Sequence, residues 1–226
     1  EIVNTLCDKT AIIISFLEGE KVNIIEPNHC FQVGEMISNF QKITKNFSKK
    51  RKNSLHINNW KLILSKCLEV DNHKYIELIS PIQNEIEYIE EYWPSTLPHG
   101  IIHGDIFQDN VFFINNELSG LIDFYFSCND YYAYELALTT NAWCFNNKNI
   151  FNNENFESLL DGYLEISKIN SEEKQHFNTL LRGAAMRILI TRLHDQLFHP
   201  DGAIVIPKNP LEYFEILKWH QNNKIF

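Results

Sequence analysis

The sequence has few residues that build covalent or metal cross-links. Its 226 residues include five cysteines and no C-x-x-C pair, so the spacing indicates neither a zinc site nor a disulfide framework. An odd number of scattered thiols is typical of a reduced cytosolic protein, and we expect a cytoplasmic location. No apolar run reaches the ~20 residues that a membrane helix needs, so we expect no association with a membrane.

Positive charge is also scarce. The chain has 20 Lys and Arg against 29 Asp and Glu, which gives a formal net charge of -9. Nonspecific nucleic-acid binding requires clustered basic residues that displace counterions, so this composition argues against nucleic acid as a partner. It does not argue against ATP, because a bound metal ion supplies positive charge locally. The composition leaves the oligomeric state open.

Short β-type runs are embedded in a mainly helical chain. The runs lie at 11–20, 100–105, 111–114 and 119–124, with a hairpin turn expected at 115–118 between the last two. Helical spacing is predicted for 26–43, 59–70, 82–93, 130–145, 155–166, 171–197 and 210–220, where Ser80 and Pro81 start the third helix and Asn209, Pro210 and Glu212 cap and open the last. The pattern predicts an α+β chain.

One loop carries an unusual amount of polar chemistry. HGDIFQDN, residues 103–110, lies between two apolar runs, and Asp123 follows Asn110 at the far side of the predicted hairpin. A hairpin folds back on itself, so we expect Asn110 and Asp123 side by side, where two oxygen ligands suit Mg²⁺. Asp105 is then placed to accept a proton from a hydroxyl nucleophile. Each residue alone is an ordinary turn residue, but the spaced set favours a phosphotransferase.

The pattern H-x-D-x-x-x-x-N followed by D-F resembles the kinase-like superfamily, and Gly104 in its second position resembles the aminoglycoside phosphotransferase branch. The ordered segments ISFLEGE, IIHGDIFQDNVFF, LSGLIDFYFSCND, RGAAMRILITRLHDQL and PKNPLEY are similar to the homoserine kinases of that branch. The resemblance implies a protein-kinase-like fold, with an N-terminal lobe remnant and hinge at 1–22 and a helical C-terminal lobe at 23–226. It also implies transfer of phosphate from ATP to L-homoserine, in threonine biosynthesis.

The resemblance implies roles for individual residues. Asp105 would be the catalytic base, and His103 would stiffen its loop through hydrogen bonds. Asn110 and Asp123 would hold Mg²⁺ on the phosphates, and Glu135 would brace the loop. The hinge that pairs with adenine would comprise Ser15, Phe16, Leu17 and Glu18.

For the acceptor, Arg is the natural partner of a carboxylate because its planar fork binds both oxygens. Arg187 and Arg192 are therefore candidate ligands of the homoserine carboxylate, with a purely ion-pairing role as the alternative. Asp130 is a candidate for the ammonium group, with a helix N-cap as the alternative.

The family resemblance also calls for a glycine-rich loop and a lysine over the phosphates. None of the eight glycines has G-x-G spacing, and Lys9 is the only lysine before the hinge. We therefore expect this chain to have very weak kinase activity or none. The alternatives are a kinase for another small alcohol, such as choline, an aminoglycoside or a sugar, and an inactive truncated remnant.

Overall fold

The computed structural model describes residues 3–70, 73–200, 202–204 and 206–226. Seven α-helices are found there: α1 Pro27–Thr44, α2 Ile57–Leu68, α3 Ile76–Tyr92, α4 Tyr132–Trp143, α5 Asn153–Leu164, α6 Ser171–Leu197 and α7 Pro210–Asn222. The same ranges contain six strands: β1 Val3–Leu6, β2 Lys9–Ile12, β3 His99–Ile102, β4 Val111–Ile114, β5 Glu117–Leu121 and β6 Cys128–Tyr131. Within this part of the chain, no helix is both long and apolar enough to cross a bilayer.

The strands form three separate antiparallel pairs, β1 with β2, β3 with β6, and β4 with β5. The β4–β5 hairpin turns at Asn115 and Asn116, both of which have positive φ angles of 52° and 65°. Asparagine tolerates this left-handed conformation better than most residues, so the expected turn forms where the sequence placed it.

The long helix α6 organises the interior, because its two halves belong to two hydrophobic clusters. Phe177, Leu180 and Leu181 pack in the cluster that holds α1, α4 and α5, whereas residues 185–193 pack in the cluster that holds α2, α3 and α7. Residues 183–190 of α6 are all buried, as expected for the part of a helix that neighbours cover on most sides.

Helices α1 and α5 approach closely through glycine. A Cβ atom placed on Gly34 would lie 2.0 Å from the carbonyl oxygen of Leu159, and one placed on Gly162 would lie 1.9 Å from that of Phe31. Both distances are far below contact, so neither position accepts a side chain without moving the helices apart.

Three local predictions from the sequence were wrong. Helix α3 begins at Ile76, and Pro81 lies inside it rather than at its start. Residues 128–131 form strand β6 against β3, where a helix was expected to begin at 130. The apolar run at 11–20 is a strand only to Ile12, after which the chain has no regular structure until Glu20 pairs with Phe113.

The division predicted at residue 22 separates the β1–β2 hairpin and the irregular segment after it from the helices. Glu1 and Ile2, in the first of the two predicted units, lie outside the described residues. Residues 18–20 lie along the β4–β5 hairpin, since the Glu20 and Phe113 backbones exchange two 2.9 Å hydrogen bonds and the Ser119 hydroxyl donates to the Glu18 carbonyl at 2.8 Å.

Candidate active site

Helix α4 holds the polar loop that follows β3. The buried carboxylate of Glu135 accepts hydrogen bonds from the backbone N–H groups of His103 and Gly104. About two turns further along α4, the indole N–H of Trp143 donates to the carbonyl of Ile106 at 2.9 Å. One helix therefore fixes the loop backbone at its start and at its middle, and a rigid element can position side chains in this way.

Burial of Glu135 raises the pKa of its carboxyl group to about 7, and the two backbone N–H groups act in the opposite direction. Gly104 has a φ angle of +77°, which a residue with a side chain rarely adopts. The turn that aims both N–H groups at one carboxylate therefore requires the glycine of this loop.

His103 is fully buried and links the loop to the end of β5. Its Nδ1 atom accepts from the backbone N–H of Asp105 at 3.2 Å, so the proton lies on Nε2, which donates to the carbonyl of Ile122 at 3.0 Å. Burial lowers the pKa of His103 to about 4, so the ring is neutral at pH 7. Both nitrogens are occupied by backbone partners, which is the arrangement of a structural histidine.

Asp105 and Asn110 are in direct contact. The amide nitrogen of Asn110 donates to the backbone carbonyl of Asp105 at 2.8 Å and to its carboxylate at 3.0 Å. The pKa of Asp105 is raised by burial, while nearby Arg187 and Asn110 counteract that shift. These contacts hold the Asp105 carboxylate in one orientation.

Asn110 and Asp123 lie at the same end of the β4–β5 hairpin. The Ile122 N–H donates to the Asn110 carbonyl at 3.0 Å, so Asp123 is one residue beyond the last backbone pair. Asp123 has φ 63° and ψ 66°, a left-handed conformation that is uncommon for aspartate and costs about 1–3 kcal/mol. Its side chain is exposed, and one oxygen accepts from the Tyr125 N–H at 3.3 Å.

The donor set at this end of the hairpin suits a hard cation. Because the Asn110 nitrogen faces Asp105, its oxygen has no protein hydrogen bond among the described residues, and the Asp123 carboxylate is open to solvent. No cluster of three or more His, Cys, Asp or Glu side chains in the described part of the chain is arranged to hold a metal ion. One carboxylate and one amide, completed by phosphate oxygens, is a set that Mg²⁺ accepts.

The predicted hinge lies beside the same hairpin. Leu17 is half-buried against Gly120, where an added Cβ would lie 2.8 Å from the Leu17 side chain. Ser15 and Glu18 are exposed, and 90% of the Phe16 side chain is open to solvent. The structure therefore brings Leu17 and Glu18 to the β4–β5 hairpin, whose open end carries Asn110 and Asp123, whereas Ser15 and Phe16 face solvent.

The candidate acceptor residues lie in three different places. Arg187 is only 2% exposed, and its guanidinium lies 5.4 Å from the centre of the Phe126 ring, close to Gly104. Arg192 lines a cleft of about 810 Å³ that opens beside loop residues 107–109. Asp130 lines another cleft, accepts from the Asn53 amide at 2.7 Å and does not cap α4.

Sequence reasoning missed Glu212 as a site residue. It was assigned to the first turn of α7, but its carboxylate accepts from Nη1 of Arg192 at 2.7 Å and lines the same cleft. Asn209 does cap the helix, since its side chain accepts from the Leu211 N–H at 3.1 Å. The two partners lie 20 residues apart on different helices, so the sequence carried no local signal for the pair.

Comparison with known proteins places these features in context. Residues 2–168 match the family described as "Phosphotransferase enzyme family". Homoserine kinase of Agrobacterium fabrum is 41% identical over 221 residues, which are 98% of this chain and 69% of that protein. Homoserine kinase of Parvibaculum lavamentivorans is 40% identical over the same shares of the two chains.

Two solved structures show the same fold at low identity. An amicoumacin kinase in complex with AMP-PNP and Ca²⁺ has a TM-score of 0.69 at 11% identity, covering 100% of this chain and 70% of that one. A choline/ethanolamine kinase family protein from Mesorhizobium loti has a TM-score of 0.66 at 11% identity, and the match covers 98% of this chain and 73% of that one. The kinase-like α+β fold expected from the sequence is confirmed.

Proposed function

We propose that this chain, which belongs to the phosphotransferase enzyme family and within it to the homoserine kinases, transfers the terminal phosphate of ATP to the hydroxyl of L-homoserine. The products are O-phospho-L-homoserine and ADP. The observation that carries the proposal is 41% identity with a homoserine kinase across 98% of the chain. The arrangement of Asp105, Asn110 and Asp123 supports the reaction type.

Asp105 is the proposed catalytic base. Its carboxylate accepts the Asn110 amide with one oxygen, which leaves the other oxygen available to an acceptor hydroxyl. As the hydroxyl oxygen attacks phosphorus, its proton moves to the carboxylate of Asp105, while the bond to ADP breaks. A fixed carboxylate at this point orients the nucleophile, which is the main protein contribution to phosphoryl transfer.

Asn110 and Asp123 are the proposed ligands of the magnesium ion of Mg·ATP. The free amide oxygen of Asn110 and the exposed carboxylate of Asp123 are the kind of oxygen ligands that Mg²⁺ prefers. Magnesium, when bound, neutralises negative charge on the phosphates. The left-handed backbone of Asp123 turns its carboxylate at the strand end, and we propose that this strain serves ligand placement.

The remaining residues are assigned by their contacts. We propose that residues 15–18 pair with adenine, because Leu17 and Glu18 contact the hairpin that carries the proposed metal ligands. His103 and Glu135 position the loop through the hydrogen bonds described. Arg187 does not line the cleft that contains Arg192, and we propose that it balances the charge of Glu135 and Asp105, since it lowers the pKa of both carboxyl groups. The ammonium-binding role of Asp130 stays a prediction, disfavoured by its separate cleft.

The proposal is tested by incubating the chain with Mg·ATP and a panel of homoserine, choline, a sugar and an aminoglycoside. Because slow turnover is expected, the protein is used at high concentration and products are identified by mass spectrometry. Phosphohomoserine is expected as the main product, and Asp105→Asn is the control that assigns trace activity to this site. Phosphorylation of choline or another alcohol, with none of homoserine, would contradict the proposal.

A further inference from the structure

The cleft beside the catalytic loop has a wall of mixed charge. It is lined by Phe107, Gln108 and Asp109 of the loop and by the start of α7, which includes Glu212 and Tyr213. Arg192 reaches the cleft from α6. The cleft therefore brings a guanidinium and carboxylates to a surface next to the loop that holds Asp105.

The Arg192–Glu212 pair is built into this wall. Arg192 is 8% exposed, and its guanidinium lies over the Tyr213 ring at 4.5 Å from the ring centre. Its Nη1 atom donates to the Asn209 carbonyl at 3.2 Å and to the Glu212 carboxylate at 2.7 Å. The Glu212 side chain keeps 48% of its surface open, so the pair is firmly held on the arginine side and accessible on the glutamate side.

Both partners keep unused bonding capacity. A guanidinium has five N–H donors, and among the described residues only Nη1 of Arg192 has a hydrogen-bond acceptor. One Glu212 oxygen is likewise without a partner in that part of the chain. An N–H edge and a carboxylate oxygen held side by side complement a ligand that carries a carboxylate and an ammonium on neighbouring atoms.

The pair also lies close to the reacting group. Tyr213 stacks on Arg192 on one side and has its ring centre 6.4 Å from that of Phe107, which is two residues from Asp105. Tyr213 is fully buried, so it fixes the distance between the charged pair and the loop. The cleft that contains the pair is thus lined by Phe107, Gln108 and Asp109, which follow Asp105 in the same loop.

We infer that Arg192 and Glu212 form the recognition site for the α-amino and α-carboxylate groups of the acceptor. The guanidinium binds the carboxylate and the Glu212 carboxylate binds the ammonium. The identity of the acceptor as homoserine rests on the proposed function, but the site itself is specific for an α-amino acid zwitterion. The pair thus determines which alcohols reach Asp105, because choline and sugars lack the carboxylate.

Equilibrium binding by calorimetry tests this without turnover. The ligands are L-homoserine, L-2-aminobutyrate, which lacks the hydroxyl, and 4-hydroxybutyrate, which lacks the ammonium. Arg192→Lys and Arg192→Met should weaken L-2-aminobutyrate and homoserine by roughly 10–100-fold, the range for charge-assisted hydrogen bonds. Glu212→Gln should weaken both amino acids but leave 4-hydroxybutyrate nearly unchanged, because that ligand has no ammonium to lose.

The matched control is Glu90→Gln, which removes the carboxylate of the exposed Lys61–Glu90 pair, 2.5 Å apart and outside the cleft. It should bind every ligand like the wild type. Thermal unfolding checks that each variant is folded. If Arg192→Met does not fold, Glu212→Gln supplies the decisive measurement, because Glu212 is exposed.

Amino acid affinities within twofold of the wild type in Glu212→Gln and Arg192→Lys would overturn the inference. If the wild type binds L-2-aminobutyrate through this pair but phosphorylates no homoserine, the inference stands and the proposed function fails.

Discussion

Glu135→Gln should change the pH dependence of stability more than stability itself. In the wild type, the carboxylate accepts the N–H groups of both His103 and Gly104 in a site with no solvent exposure. Oε2 accepts from both N–H groups, so a glutamine oxygen in that position keeps both hydrogen bonds. The amide nitrogen of glutamine then replaces the oxygen that faces the Gly104 N–H, at a cost of about 1–3 kcal/mol. It also removes a buried charge, which offsets part of that loss at pH values where the carboxylate is ionised.

The size of the pH effect follows from the pKa of Glu135, which burial raises from 4.5 to about 7. Because the folded pKa is the higher one, the folded state holds the proton more tightly, and the resulting stability is present at acid pH and lost as pH rises through about 7. Between about pH 8 and about pH 5, the wild type should gain about 2.5 kcal/mol from this group, at about 1.4 kcal/mol for each pKa unit. Glutamine does not titrate, so the variant lacks this gain.

Urea unfolding of the wild type and Glu135→Gln at the two pH values measures the effect. The free energy of unfolding of the wild type minus that of Glu135→Gln should be about 2.5 kcal/mol larger at about pH 5 than at about pH 8. Other titrating groups, such as the buried His220, are common to both proteins and cancel in the difference. A difference that is the same at both pH values would refute the idea that a buried, proton-binding carboxylate supports this loop.

Three further predictions concern the base, an interior histidine and the helix contact. Asp105→Asn should lower turnover of homoserine by about two to four orders of magnitude while leaving the unfolding midpoint near that of the wild type; unchanged turnover would remove its role as base. Burial lowers the pKa of His220 to about 3, so the histidine binds a proton more readily in the unfolded chain. At about pH 5 this should lower the free energy of unfolding by about 2 kcal/mol, and His220→Leu should recover part of that loss. Urea unfolding that shows equal acid sensitivity of the two proteins would contradict this. Gly34→Ala should destabilise by at least about 1–3 kcal/mol in urea unfolding, since its methyl group meets the Leu159 carbonyl at 2.0 Å; a stable variant would mean that α1 and α5 separate at little cost.

The geometry of the polar loop and its hairpin could be predicted because it is local. Asp105, Asn110 and Asp123 lie within 19 residues of sequence, joined by one hairpin whose turn has a clear asparagine signal. The helices were predicted for the same reason, since apolar spacing and capping residues act within a turn or two.

The errors arose where distant contacts decide the structure. Residues 128–131 contain Asn and Asp, which disfavour strands, yet they form β6 because β3 pairs with them. Pro81 was assigned to a first turn by its preference, but buried Leu78 and Ile82 on either side of it hold α3 in one piece. Tertiary packing outweighed local propensity in both cases.

The residues of the inferred acceptor site could not be identified from the sequence for the same reason. Arg192 was a candidate because of its charge, but nothing local distinguished it from Arg187, which lies 5 residues earlier on the same helix. Their side chains meet different neighbours: Arg187 faces the closed interior beside Gly104, and Arg192 faces the start of α7 and an open cleft. On the inferred acceptor site, specificity would be set by the packing of α6 against α7, whereas the proposed base and metal ligands belong to a short loop and a hairpin. Substitutions between α6 and α7 should thus alter the choice of alcohol and leave the base and the metal ligands intact.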